Sequence, residues 1–349
     1  LSSSSAASDV YKRQMKTFIS LMLLPLLVLA CQAEPGSKKV PKRERKIIKN
    51  GNVQSFNPKI DVLFIVDDSG SMSSHQTHFS ANANIFIQEI LKSQFIDYHI
   101  GVTTSSVTGT FSTGSKAPDG ELMSYSGVNF VANTTKFGEE YLAQLLKVGT
   151  SGAGSEEFLS IPPLTFSNLN INGVNKGFYR DDAQLAIFVI TDAVDQSDVT
   201  SEHAIEFLVD LKGGDSRKIH YAAAIIDQVF DSSCRHDSFS NKDAVKMKAV
   251  INFFQERGSM FELCSKNYGE SMAKVAKDIV KAVSTINLDK LPDIRTIKVK
   301  LGDKEIVEGE NGWSYNDETN SIKISPKLNI TAKDASKLSV HFEDFFKKE

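Results

Sequence analysis

The chain has 349 residues, 41% hydrophobic and 24% charged, with 40 Lys+Arg against 43 Asp+Glu and a net charge of -3. These values exclude a fully disordered chain, a collagen-like fibre and a polytopic membrane protein. The near-neutral balance also argues against an electrostatically driven nucleic-acid binder, so no nucleic acid is expected as a partner. Three cysteines are too few for a disulfide scaffold, and the odd count leaves one to explain.

Residues 1–14 (LSSSSAASDVYKRQ) precede Met15, look like neither signal nor domain, and are read as non-native. Lys16 and the apolar run Phe18 to Ala30 then form an export signal too short to span a bilayer as a permanent helix. The run closes in Val28-Leu29-Ala30-Cys31, which resembles a bacterial lipobox. That resemblance implies a lipoprotein signal peptide over 15–30, acylation of Cys31 and a membrane contact through the lipid. Gln32, where Asp would favour retention at the inner membrane, points to the outer membrane. Residues 31–56, with SKKVPKRERKIIKNGN, are too polar to bury a core and read as a flexible tether whose basic run can meet anionic head groups.

From Asp61 the texture changes. Asp61 to Asp67 (DVLFIVD) is a continuous apolar run bounded by carboxylates, the pattern of a buried parallel strand. Ser73 to Gln94 carries apolar residues at helical spacing. Tyr98 to Thr104 is a second strand, and the Gly/Ser/Thr-rich stretch Ser105 to Asn133 a long rim loop. Phe137 to Val148 reads as a helix, Leu185 to Thr191 as a strand, Glu202 to Leu211 as a helix. Tyr221 to Ile226 is a further strand and Tyr268 to Val283 a further helix. Alternating strands and helices predict an α/β fold with a doubly wound, mainly parallel sheet over residues 57–288. Period-two segments with polar turns predict a small antiparallel β domain over 289–349.

Asp67-Asp68-Ser69-Gly70-Ser71 stands between the first strand and the first helix. Ligands bind at that carboxyl edge in open α/β sheets. Asp67, Ser69 and Ser71 offer hard oxygen donors on one tight turn, suited to a divalent cation. The pattern D-x-S-x-S resembles the metal-ion-dependent adhesion site of von Willebrand factor A domains. Phe188-Val-Ile-Thr-Asp192 matches a second part of that site, and the resemblance implies Asp192 as a ligand. Its middle ligand is a Thr in a Gly-rich loop. Here Val148-Gly-Thr-Ser-Gly-Ala-Gly-Ser-Glu156 occupies that region, and counting back from Leu159 against T-x-T-G-x-x-L places Ala153 where Thr belongs. Thr150 is the expected substitute ligand, with Ser151, Ser155 and Glu156 as alternatives. Asp195 is expected behind the ligands, and His75 and His78 are expected to face solvent.

The stretches DVLFIVDDSGSM, HIGVTTS, VGTSGAGSEE and FVITDAVDQS, with a late Cys before a helix and a Gly-Trp-Ser-Tyr tail, look like a group of exported bacterial von Willebrand A proteins. Cys234 and Cys264, in an oxidising compartment, are expected to form a disulfide; a zinc site is the weaker alternative. No G-x-S-x-G, Walker A or H-E-x-x-H motif is present, Ser69 and Ser71 have no evident base, and no enzyme is expected. The resemblance implies a cell-envelope binding module holding a divalent cation. Mg²⁺ is expected ahead of Mn²⁺ or Ca²⁺, its shell completed by an Asp or Glu of a protein partner. The alternative is an envelope scaffold in which the metal only stiffens the fold.

Overall fold

A computed structural model describes residues 51–109, 114–226, 244–263, 265 and 267–346. The signal region, Cys31, Cys234 and Cys264, and with them the expected lipid anchor and disulfide, lie outside the described residues.

In chain order the elements are β1 (Asn52–Ser55), β2 (Lys59–Val66), α1 (Ser73–Leu91), β3 (Asp97–Thr104), β4 (Phe130–Ala132), α2 (Gly138–Leu145), α3 (Ile161–Thr165), α4 (Asn168–Asn172), β5 (Gln184–Ile190), α5 (Ser201–Leu211), β6 (Ile219–Ile225), α6 (Val245–Phe253), β7 (Gly258–Glu262) and α7 (Tyr268–Val283). The tail adds β8 (Thr285–Asn287), β9 (Lys298–Leu301), β10 (Lys304–Ile306), β11 (Trp313–Asn316), β12 (Ser321–Ile324), α8 (Ala332–Ala335) and β13 (Leu338–Phe342).

Six strands form the central sheet in the order β4-β3-β2-β5-β6-β7. All neighbours are parallel except β4, which is an antiparallel edge. A central parallel strand is covered on both faces, which is why β2 and β5 read as unbroken apolar runs. Alternate residues of β2 point to opposite faces. Val62, Phe64 and Val66 join one apolar cluster with Phe79, Phe86 and Met272 of α1 and α7. Leu63 and Ile65 join the other with Ala204, Leu208 and Met247 of α5 and α6. The doubly wound, mainly parallel α/β sheet is therefore present, and the C-terminal region is antiparallel β structure. Among the described residues no helix is long and apolar enough to cross a membrane.

Two parts differ from the sequence reading. Asn52–Ser55, assigned to the tether, forms β1 and pairs antiparallel with β13. Its sequence NVQS is half-buried at most and has no apolar run to announce it; its partner lies at the other end of the chain. The tail sheets are β1-β13-β9-β10 and β11-β12-β8, so β8 leaves the end of α7 and joins the tail. Ile286, Ile322, Ile324 and Val340 belong to the same apolar cluster as Phe64 and Val283. The tail thus shares the core of the main sheet.

At the amino edge of the sheet, Arg180 clamps two strands. Its main-chain N–H and Nε donate to the buried Asp61 carboxylate at 2.7 and 2.8 Å, and Nη1 donates to Asp97 Oδ1 at 2.7 Å. Burial pushes Asp61 up to about 6 even against the pull of Arg180, so the clamp offsets a desolvation cost rather than adding a surplus. Removing Arg180 alone strands that carboxylate. Arg180→Met is expected to lose about 3–5 kcal/mol in urea unfolding, and the double variant Asp61→Asn/Arg180→Met to lose clearly less than the single one.

His220, at the start of β6, is buried against the Arg257 guanidinium at 2.8 Å. Burial and then the Arg257 charge push it down to about 3. The unfolded chain protonates this imidazole near pH 6.5 while the folded one does not. Its contribution is therefore whole above pH 6.5 and fades as pH falls towards 3. Unfolding free energies between pH 7 and 4 are expected to fall less steeply for His220→Gln than for the parent chain.

Candidate functional site

The carboxyl ends of β2 and β5 lie side by side because the strands are paired in parallel register up to Val66 and Ile190. Ladder bonds continue one residue further. The Asp67 N–H donates to Ile190 O and the Thr191 N–H to Ala224 O, both at 3.0 Å. The chain then turns through a short 3-10 segment, Gly70–Met72, into α1. The two strand ends thereby deliver Asp67 and Asp192 to one place, and the turn adds Ser69 and Ser71.

Asp67 is fully buried. Its Oδ1 accepts from the Ser69 N–H at 2.8 Å and its Oδ2 from Thr191 Oγ1 at 2.7 Å. Thr191 Oγ1 accepts in turn from the Ala193 N–H, so the carboxylate is held on both oxygens. The Ser69 and Ser71 hydroxyls are 3.1 Å apart, and Ser71 donates to Asp192 Oδ1 at 3.0 Å. The structure thus brings together Asp67, Ser69, Ser71 and Asp192, four of the five residues expected as ligands.

Thr150 is exposed and makes no hydrogen bond with these four. The residue of its loop whose carboxyl feels the charge of Asp67 and Asp192 is Glu156, which is buried. Burial first, and then the charges of Asp67, Asp192 and Asp68, push its carboxyl up to about 8. Burial, aided by Asp192, pushes Asp67 up to about 6. Among the described residues neither carboxyl is in an ion pair. Gln196 fixes Glu156 through Nε2 to Oε2 and through its N–H to Glu156 O at 2.8 Å.

The loop is moulded around Asp68. Ser106 donates to Asp68 Oδ1 at 2.8 Å while accepting from the Ala153 N–H at 2.8 Å. Asp68 O accepts from the Gly152 N–H at 2.8 Å. A Cβ on Gly152 would stand 2.1 Å from Asp68 Cγ, so this close approach admits only glycine. Ala153, which the count back from Leu159 set at the expected Thr position, is buried with its amide committed to Ser106. Gln76 closes the ring: its Nε2 donates to Asp67 O and Gly149 O, and its Oε1 accepts from the Gly149 N–H.

Two expectations change. Asp195 touches neither Asp67 nor Asp192. It accepts from the Leu159 N–H at 2.9 Å and from Ser197 Oγ, and it pairs with Lys246 at 3.1 Å. It therefore pins the loop that carries Glu156 rather than backing the ligands. His75 is buried, whereas His78 is exposed as expected, because His75 falls on the same side of α1 as Gln76 and Phe79.

The donors are all oxygens: two hydroxyls, the Asp192 carboxylate, and the carboxyls of Asp67 and Glu156 close by. Asp68 Oδ2 is buried without a hydrogen-bond partner. Among the described residues no three or more His, Cys, Asp or Glu are grouped to hold a metal. This set suits a hard cation that keeps several waters, and lacks the nitrogen and sulfur donors of zinc sites.

No protein-family model matches the chain, and no curated protein matches it. Solved structures that it resembles include proximal thread matrix protein 1 of the mussel byssus, at 12% identity and a TM-score of 0.38, over 68% of this chain and 50% of that one. A von Willebrand factor type A protein of Catenulispora acidiphila matches at 13% identity and a TM-score of 0.35, over 83% of this chain and 58% of that one. The pilus adhesin SpaC of Lactobacillus rhamnosus GG matches at 12% and 0.36, over 83% and 39%. The chain spans about half the length of the first of these. The fold stands on the strand order and registers described above.

Gly152→Ala is expected to lower the melting temperature, at a cost of about 1–3 kcal/mol from the enforced clash. The loss should shrink when Asp68→Ala removes the opposing carboxylate, a coupling that a double-mutant cycle reads directly.

Proposed function

We propose that this chain is a von Willebrand A-type binding module whose upper sheet edge holds a divalent cation, Mg²⁺ first, and through it a carboxylate of a protein partner. One observation carries the reading. Asp67 and Glu156 are buried, each pushed up further by the charge of Asp192, and among the described residues neither is in an ion pair. Buried carboxylates gathered in this way are stabilised by protonation or by a cation, and the hydroxyls of Ser69 and Ser71 beside them are suited to the second.

Ser69, Ser71 and Asp192 would hold the ion directly. Asp67, held on both oxygens by Ser69 and Thr191, orients the turn and supplies charge from behind. Glu156 takes the part the sequence reading gave to Thr150. When bound, the ion supplies a Lewis-acidic centre with positions left open for an acidic side chain. The chain's own share is to hold these oxygens rigid, through Gln76, Thr191 and Ser106, so that they need not rearrange on binding. The chemistry proposed is recognition, not turnover. Export and acylation of Cys31 rest on the Val28-to-Cys31 segment, placement at the outer membrane rests on Gln32, and together they complete the proposal.

Calorimetric titration with Mg²⁺ is expected to show one site, abolished by Asp67→Ala and weakened about tenfold or more by Ser71→Ala, in line with the effect of single ligand losses. Glu156→Gln should change the Mg²⁺ affinity more than Thr150→Ala does. Partner capture from envelope extracts should vanish with chelator and with Asp67→Ala. Equal recovery in all three conditions would overturn the adhesive reading, and would favour the scaffold reading if Mg²⁺ still raised the melting temperature.

A further inference from the structure

At the amino edge of the main sheet, a cleft of about 490 Å³ opens between the start of β6, α7 and the tail sheet β11-β12-β8. That volume suits a small molecule. His220 at the start of β6 borders it, so it lies opposite the carboxyl edge that carries Asp67 and Asp192. Arg257 stands in its wall and also borders three smaller hollows beside it. Of the described arginines, Arg180, Arg217 and Arg295 each meet a carboxylate. Arg257 meets none among the described residues, and its hydrogen bond is to His220 Nε2 at 2.8 Å. That imidazole stays neutral at ordinary pH, so it orients the guanidinium without balancing its charge. The charges of Asp215 and Glu256 reach Arg257, but both Asp215 oxygens are held by Arg217. Burial pushes Arg257 down, the direction expected of a cation without a close counter-ion.

The facing wall is a polar sheet surface. The register sets Ser314 opposite Lys323 and Lys323 opposite Thr285, then Asn316 opposite Ser321 and Ser321 opposite Asn287. Alternate residues share a face, so these six form one surface, while Trp313, Ile322, Ile324 and Ile286 pack into the core behind it. All six border the cleft. Among the described residues, the Ser314 hydroxyl, the Asn287 amide and the Lys323 ammonium make no hydrogen bond to the chain. Hydroxyls and amides both donate and accept, so two rows of them match a ligand that carries several hydroxyls. Glu256, Asp278, Asp317 and Glu318 border the same cleft, against Arg257, Lys281 and Lys323. This excess of acids repels a multiply charged anion such as phosphate. It leaves Arg257 suited to a single carboxylate, which its planar fork can hold through two N–H groups.

We propose that this cleft binds a hydroxylated monocarboxylate of the acidic-sugar class, with its carboxylate on Arg257 and its hydroxyls on the polar face of β11, β12 and β8. The site is separate from the cation edge and needs no metal. The chain would then carry two recognition sites, at opposite edges of one sheet.

The protein is titrated in EDTA with glucuronate, galacturonate and N-acetylneuraminate, with glucose and inorganic phosphate as controls, and binding is read by saturation-transfer NMR and calorimetry. At least one acidic sugar is expected to bind about tenfold or more tighter than glucose, and tighter than phosphate. Arg257→Gln should weaken that binding about tenfold or more, and Ser314→Val, on the exposed face, about threefold or more. Melting temperatures show which variants keep the parent fold, and Ser314→Val carries the test if Arg257→Gln does not. The proposal is overturned if no acidic sugar binds more tightly than glucose, or if phosphate binds as tightly as the best of them. Undiminished binding in either variant that keeps the parent melting temperature would overturn it too. Because EDTA is present throughout, failure here leaves the cation-site reading untouched.

Discussion

A carboxylate removed from water is stable only with hydrogen bonds, a proton or a cation, and the upper edge of this molecule gathers several. Asp67 is the pivot. It sits at the end of the central strand, where two parallel neighbours and the helices on both faces leave no route to solvent. Ser69 and Thr191 satisfy its lone pairs in part, yet Asp192, Asp68 and Glu156 add like charge. Burial and repulsion push both Asp67 and Glu156 upward. A fold that only needed stability would place apolar residues here. The tolerance of so many acids, with two hydroxyls beside them, is what the proposed cation site rests on.

The rest of the upper surface exists to keep that cluster in place. Gln76, one turn into α1, binds both the end of β2 and the loop at Gly149. Asp68 draws the same loop inwards until only a glycine fits at position 152. Asp195 and Lys246 anchor its far side at Leu159. Glu156 is thereby delivered to the cluster by a loop fixed at three points, and none of those points is itself a ligand. The opposite edge follows the same logic with the opposite solution. Asp61 is also buried, but there Arg180 supplies the cation from within the chain.

Much of this was legible beforehand. The runs DVLFIVD and LAIFVIT announce parallel strands because burial on both faces removes alternation, and D-x-S-x-S at a strand end marks the candidate site. Asp67, Ser69, Ser71 and Asp192 followed from those patterns, since pairing in parallel register makes strand ends coincide. Glu156 followed only as one of three alternatives behind Thr150. A loop has no period, and counting from Leu159 cannot reveal which side chain turns inwards; that depends on Ser106 and Asp68, which lie remote in sequence. The paired Glu156-Glu157 before an apolar Phe158-Leu159 was the available signal. Asp195 was misplaced for the same reason, its partners being a main-chain amide and a lysine on α6. β1 escaped notice because a four-residue polar strand depends wholly on its partner, and that partner is β13.

The most direct measurement is a crystal structure grown with Mn²⁺, a hard ion that accepts the same oxygens and scatters anomalously. The account predicts one anomalous peak within coordination distance of Ser69 Oγ, Ser71 Oγ and an Asp192 oxygen, with Asp67 still bonded to Thr191. An empty upper edge at saturating Mn²⁺, with Asp67 and Glu156 protonated instead, would contradict it.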